Sequence, residues 1–268
     1  MPRIVFWNVN KKDLTKQVCA IAASTNADVV VLNENEVSSE HTLQYLQRDV
    51  SADFYYPAVI SDKRFHCFCK NTDLDLSESH DLDRASVRKL KIGNHIVLLA
   101  LFHGLDLRNY DDAARTAYMQ TLASDMSFVT EQQKTRKLLL LGDFNMNPYD
   151  RGMTQAAGMN AMMTRACTKR GYRTYVKKSY DFYYNPMWSL LGDNTEGPAG
   201  TIYDMSSQGP YGWSMFDQVV MHHSVINLFE EVKIITEAGS ESLMNKNEHP
   251  DKKVLSDHFP ILVSLKED

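Results

Sequence analysis

Six short apolar runs set the limits on what this chain can become. They are Ile4 to Val9, Val29 to Leu32, His95 to Phe102, Leu138 to Leu141, Phe216 to Met221 and Phe259 to Leu265, all rich in β-branched or aliphatic residues. Their length and composition predict strands rather than helices. Several are apolar at both alternating positions, so both faces of those strands are expected to be buried. Strands of that kind fit a layered α/β core, with sheets packed on each other and helices covering the outside.

Helices are predicted from Leu14 to Ser24, from Thr42 to Asp49 and from Asp111 to Glu131. The last carries Ala114, Tyr118, Leu122, Met126 and Val129 at steps of three or four, an amphipathic stripe. A further helix is expected through the segment holding Met153, Met159, Met162 and Met163, which looks like flexible core filling. An aromatic stretch, Tyr180 to Trp188, follows it, and then a loop punctuated by Gly and Pro. No repeat, low-complexity tract or hinge divides the chain. Residues 1–268 therefore read as one domain with an elaborated insertion at about 152–212.

Charge and cysteine usage narrow the class. The formal net charge is -5, which argues against long-range attraction to nucleic acid, although a bound divalent cation reverses the field locally. No apolar run approaches the ~20 residues of a membrane helix. The start turns polar at Asn8, too early for a signal peptide. Cys19, Cys67, Cys69 and Cys167 form no CxxC pair and no disulfide framework. The expectation is a reduced, cytoplasmic compartment.

The informative polar residues stand at the ends of the apolar runs. Asn8 closes the first, Glu34 follows the second and His103 ends the third. Asp143 and Asn145 follow the fourth, Asp217 interrupts the fifth, and Asp257-His258 opens the sixth. Taken singly, such residues are turn formers, solvated carboxylates or structural histidines. Seven coincidences at strand ends point instead to convergence on one rim of a sheet, where a rigid scaffold holds them.

In order, Trp7-Asn8, Leu32-Asn33-Glu34, Phe102-His103, Gly142-Asp143-Phe144-Asn145, Phe216-Asp217-Gln218-Val219 and Ser256-Asp257-His258 resemble the motifs of the endonuclease/exonuclease/phosphatase superfamily. The resemblance spans nearly the whole chain and rests on the combination rather than on any one motif. It implies a four-layer α/β/β/α sandwich, two packed mixed sheets flanked by helices, with metal-dependent cleavage of phosphoesters at their upper edge. Within it, Asp143 positions or deprotonates the attacking water and Asn145 hydrogen-bonds the scissile phosphate. His103 corresponds to a second histidine that donates a proton to the leaving oxygen.

Residue chemistry adds to this. Phosphodiester cleavage needs positive charge on the phosphoryl oxygens and an activated water. Glu34, with Asn8 beside it, offers the oxygen ligands Mg²⁺ prefers, Mn²⁺ being a substitute, and Asp257 suits the same or a second metal position. His258 is the candidate general base or electrostatic stabiliser. Asp217, costly inside an apolar run unless paired, is its expected partner.

Two departures from the family pattern stand out. Ala85 stands where deoxyribonuclease I-like members carry a glutamate that orients the second histidine, so that partner is missing or supplied elsewhere and the acid role of His103 is weakened. Glu36 places negative charge where some nucleases present a basic residue, which favours neither a long duplex nor a highly anionic ligand. The leading expectation is a nuclease acting on DNA or RNA. The alternatives are a phosphatase or phosphodiesterase on a small phosphorylated metabolite or lipid headgroup, and a non-catalytic binding module that retains the fold. Of the remaining features, Lys177, Lys178 and the aromatic stretch suit either base stacking or a self-packed loop. Arg84 and Arg115 read as surface salt-bridge residues or phosphate contacts, Cys67 to Cys69 as a structural strand, and Lys11, Lys12 and Lys16 as a solvated face.

Overall fold

The computed structural model describes residues 1–57, 64–70, 76, 78–206 and 211–266. Strands β1 (Arg3–Asn8), β2 (Val29–Asn33), β3 (Phe65–Cys69), β4 (Glu78–Asp81), β5 (Ala85–Ile92), β6 (His95–His103) and β7 (Leu138–Asp143) arise in chain order. Helices α1 (Thr15–Thr25), α2 (Ser39–Asp49) and α3 (Asp112–Gln132) lie between them.

Two mixed sheets result. The first has five strands, in the order Phe229–Ile234, Ile261–Leu265, β1, β2, β3. The second has seven, in the order β4, β5, β6, β7, Asp217–His222, Tyr183–Tyr184, Ala161–Met162. Each contains a long parallel pair, β1 with β2 and β6 with β7, among antiparallel neighbours. A helical crossover joins each parallel pair, α1 between β1 and β2 and α3 between β6 and β7, as strands that run in the same direction require.

The alternation of each strand sorts its side chains into layers. Ile4, Phe6, Val29 and Val31 meet Leu99, Leu101, Leu139, Leu141 and Val219 between the sheets. On the outer face of the first sheet, Val5, Trp7, Val30 and Leu32 pack against Val18, Ile21 and Ala22 of α1 and Leu46 of α2. On the outer face of the second, Leu98, Ala100, Phe102 and Leu140 pack against Met119, Leu122, Met126 and Val129 of α3. Helix, sheet, sheet, helix is the expected four-layer order. Each fully buried Leu, Val or Phe here contributes about 1.5–3 kcal/mol by leaving water.

The described residues depart from expectation in a few places. Helix α2 begins at Ser39 rather than Thr42 because the Ser38 hydroxyl accepts the His41 N–H and caps the first turn. The buried stripe of α3 runs through Arg115 and Met119, leaving Ala114 exposed and Tyr118 half-buried. No long helix forms through the methionines. The helix is only Arg151–Thr154, after which Met159 N–H returns to the Gly152 carbonyl and Met162 joins a strand. Gly158 permits that reversal, since a Cβ there would lie 2.2 Å from the Gly152 oxygen. The aromatic stretch is largely structural: Phe182, Tyr184 and Met187 are buried. No helix among the described residues is long and apolar enough to cross a membrane.

Candidate active site

Parallel pairing sends the C-terminal ends of two strands to the same edge of a sheet, where open α/β sheets place their chemistry. Asn8 thus leaves β1 beside Asn33 and Glu34, and His103 leaves β6 opposite Asp143 of β7. Asp217 begins a strand antiparallel to β7 and sits in register with Asp143. The strand Ile261–Leu265 runs antiparallel to β1, so the His258 that precedes it enters where Asn8 departs.

The side chains meet across the gap between the sheets. Asn8 Nδ2 donates to Glu34 Oε1 and to Asp143 Oδ2, each at 3.1 Å. Its Oδ1 accepts the Asn10 N–H at 3.0 Å. Asp143 Oδ2 also lies 3.9 Å from Nε2 of both His103 and His258, and His103 Nε2 is 3.6 Å from Glu34 Oε1. His258 Nδ1 faces Asp217 Oδ2 at 2.8 Å. Asn145 donates its backbone N–H to Asp143 Oδ1 at 2.9 Å. The ligand atoms of Glu34, His103 and Asp143 lie within 4.8 Å of one another, as do those of Asp143, Asp217 and His258. Asp257 belongs to neither grouping, but its charge acts on His258.

Electrostatics give His258 its state. Burial opposes charge on the ring, but the charge and hydrogen bond of Asp217, with the charges of Asp143 and Asp257, push it up to about 10. Burial raises Asp217, and the imidazolium beside it lowers it. The net direction for Asp217 is up, burial and the charge of Asp143 outweighing the imidazolium, while His258 is held protonated by the carboxylates around it.

The backbone is strained where the site is built. Glu34 and Asn145 both adopt a left-handed conformation, φ 50° each. Such a conformation costs a residue like Glu34 roughly 1–2 kcal/mol, whereas an Asn adopts it more readily. Gly142 matters for another reason: a Cβ there would lie 1.8 Å from the Phe102 carbonyl oxygen, so only glycine lets β7 approach β6 this closely.

Several supporting residues escaped the sequence reading. Trp7 Nε1 donates to the His258 carbonyl at 2.9 Å. Ser256 Oγ donates to the Asn8 carbonyl at 2.6 Å and accepts the His258 N–H. Thr201 Oγ1 accepts the N–H groups of Phe216 and Asp217 at 3.2 and 3.1 Å. Arg115, expected at the surface, is buried and donates to the Asn145 carbonyl while pairing with Asp112. Lys12, expected on a solvated face, donates to the carbonyls of Lys252 and Leu255 and so ties down the loop before His258. Only Trp7 and Ser256 carried any signal, through their motif neighbours. Arg84 donates to the Gly104 carbonyl at 3.1 Å. No hydrogen bond to the His103 ring is found among the described residues, and Ala85 is a buried strand residue paired with Phe102.

The carboxylates and imidazoles gathered here are compatible with a divalent cation. Glu34 offers a half-exposed carboxylate, and Asp257 Oδ1 is buried without a hydrogen-bond partner among the described residues. A sealed, unpartnered carboxylate oxygen is costly, and an oxygen-ligated cation would relieve it.

Two packed mixed sheets with carboxylates, amides and two histidines gathered at one edge define a class of phosphoester-hydrolase scaffold. The chain belongs to the Endonuclease/Exonuclease/phosphatase family, whose model matches residues 5–258. Members of this family are hydrolases acting on phosphoester bonds. Among solved structures, the chain is similar to truncated Caenorhabditis elegans TDP2, with 16% identity and TM-score 0.57, over 99% of this chain and 97% of that one. It is similar to the endonuclease domain of TRAS1, a telomere-specific non-LTR retrotransposon, with 13% identity and TM-score 0.54, over 99% and 98%. A third is the 3′ phosphatase NExo from Neisseria, bound to product DNA hairpin, with 16% identity and TM-score 0.55, over 99% and 100%. At such identities the likeness is one of fold. No curated protein matches.

Proposed function

We propose that this chain is a Mg²⁺-dependent phosphodiesterase that hydrolyses nucleic acid, DNA or RNA, with Mn²⁺ as a substitute ion. The observation that carries the reading is Asp143, a buried carboxylate whose Oδ2 stands 3.9 Å from two imidazole nitrogens and 3.1 Å from the amide that also holds Glu34. A merely structural Asp has no need of that company.

Glu34 and Asp257 are the residues that would hold the ion, and Asn8, expected as a third ligand, turns its amide nitrogen to Glu34 and so positions that carboxylate. The chemistry it supplies when bound is Lewis-acid charge on the phosphoryl oxygens and a template for the ester. Asp143 orients the attacking water and accepts its proton, with Asn8 and the Asn145 N–H fixing its two oxygens. His258, held protonated by its carboxylate neighbours, stabilises charge gathering on the phosphoryl group, and Asp217 fixes its ring. Asn145 hydrogen-bonds the scissile phosphate. His103 gives a proton to the leaving oxygen with no hydrogen bond to its ring among the described residues, so its share is the smallest.

The test is an activity panel on the purified full chain, with EDTA controls, covering single- and double-stranded DNA, RNA, sphingomyelin, phosphorylated metabolites and bis-p-nitrophenyl phosphate. Metal-dependent cleavage of a nucleic acid is expected. A second reading, a small phosphorylated substrate, draws on the net charge of -5 and the exposed Glu36 beside the site. A salt series separates the two, because several phosphate contacts make binding fall steeply with ionic strength. Hydrolysis of nothing in the panel would leave the non-catalytic module in the lead.

A further inference from the structure

A second group of metal-ligating side chains sits at the far end of the strand that begins with Asp217. That strand ends at His222, five residues on, which is about 16 Å away at the rise of an extended chain. There Asp181, His222 and His223 bring their ligand atoms within 4.8 Å of one another. Asp181 closes the strand Lys178–Asp181, His222 closes the strand Asp217–His222, and His223 opens the 3-10 turn that follows. The three therefore join an edge hairpin to the second sheet.

We propose that Asp181, His222 and His223 form a binding site for a borderline-soft divalent cation of the zinc type, separate from the oxygen-rich site around Glu34. Two imidazoles and one carboxylate are a zinc donor set, with water left for the fourth position. Magnesium prefers oxygen alone.

The geometry is close to what such an ion requires. Neighbouring ligand atoms around a tetrahedral Zn²⁺ stand about 3.3 Å apart at ordinary bond lengths. His222 Nε2 already lies 3.2 Å from Asp181 Oδ2. The two imidazole ring centres are 4.2 Å apart. His223 is half-buried and its ring lies beside Gly171.

Ligating histidines are usually oriented through their other ring nitrogen, and His222 has such support. Its Nδ1 lies 2.8 Å from Ser224 Oγ, and that hydroxyl donates to the Arg136 carbonyl at 3.1 Å. Nδ1 also accepts the Ser224 backbone N–H at 3.2 Å, which together with the hydroxyl fixes the plane of the ring. The competing cation is Arg136, whose guanidinium is 3.7 Å from Asp181 Oδ2 and largely exposed. An exposed arginine swings away at little cost.

The test uses the full chain carrying Glu34→Gln and Asp143→Asn, which takes a carboxylate from both groupings at the rim. After chelator treatment and dialysis against Zn²⁺ with excess Mg²⁺, metal content is read by atomic emission. One Zn²⁺ per chain is expected, with a raised melting temperature, and both are lost when His223→Ala or Asp181→Asn is added. A folded parent that retains no zinc, or folded third-site variants that retain it fully, would overturn the proposal. Should both added substitutions unfold the chain, the histidine ring resonances of the parent decide by NMR. Zn²⁺ should move those of His222 and His223 and leave His258 in place; unmoved His222 and His223 rings would overturn the site.

Discussion

His258 Nδ1 lies 2.8 Å from Asp217 Oδ2, and both side chains are sealed from water. The value near 10 for the folded ring stands above the ordinary histidine value of about 6.5. The protonated ring therefore stabilises the fold fully below pH about 6.5, and this contribution is lost as pH rises through about 10. We expect the unfolding free energy of the metal-free chain, measured by urea titration, to fall across that window. Asp217→Asn should flatten the fall, and an unchanged slope would mean that another group carries it.

The same substitution separates orientation from metal binding. Asp217→Asn leaves Glu34, Asn8 and Asp257 intact. It should therefore lower kcat by about 10²–10⁴-fold, the usual worth of a positioned acid–base group, with the Mg²⁺ activation midpoint little changed. A shifted midpoint with normal kcat would reverse the assignment.

Glu34→Gln should do the opposite, raising the Mg²⁺ concentration needed for half-activity, because a neutral amide is a poorer partner for a hard dication. Asp143→Asn and His258→Ala should each remove most turnover with the circular dichroism spectrum intact. Near-normal turnover in either would strike that residue from the mechanism. His103→Ala should be the mildest of the set, as no hydrogen bond holds its ring among the described residues, its nearest carboxylate oxygen being 3.6 Å away on Glu34.

Gly142→Ala should destabilise by about 2–4 kcal/mol, the range of a severe packing defect, since its methyl group would meet the Phe102 carbonyl oxygen at 1.8 Å. Thermal melting measures this directly. A melting temperature within experimental error of wild type would show that β6 and β7 separate freely.

Thiol chemistry should distinguish one cysteine from three. Cys167 is exposed, whereas Cys19, Cys67 and Cys69 are buried. Burial pushes the Cys19 thiol up to about 11 and Cys67 to about 12. Since the thiolate is the reactive form, a thiol reagent should modify the native chain once quickly, and Cys167→Ser should abolish that phase.

What could be read in advance follows from how each signal is written. The strands that carry Asn8, Glu34, His103, Asp143, Asp217 and His258 are apolar on both faces, so strand and site were visible together. Strand β5 was hidden because Arg88, Lys89 and Lys91 interrupt its pattern, although Arg88 is fully buried. The methionine segment misled because apolar content alone does not reveal the reversal at Gly158. Thr201 and Arg115 act through backbone groups brought near by the fold, a relation that no spacing in the sequence records.

The Asn8 side chain bridges a carboxylate of its own sheet's edge and one belonging to the opposite sheet. That single amide makes the cleavage machinery a gauge of alignment between the two halves. Volume removed deep between them, at Val31 or Leu141 for instance, lets one half slide by fractions of an ångström. Turnover would then decay well before the molecule melts, and heat sensitivity would be set by the interior rather than by the rim.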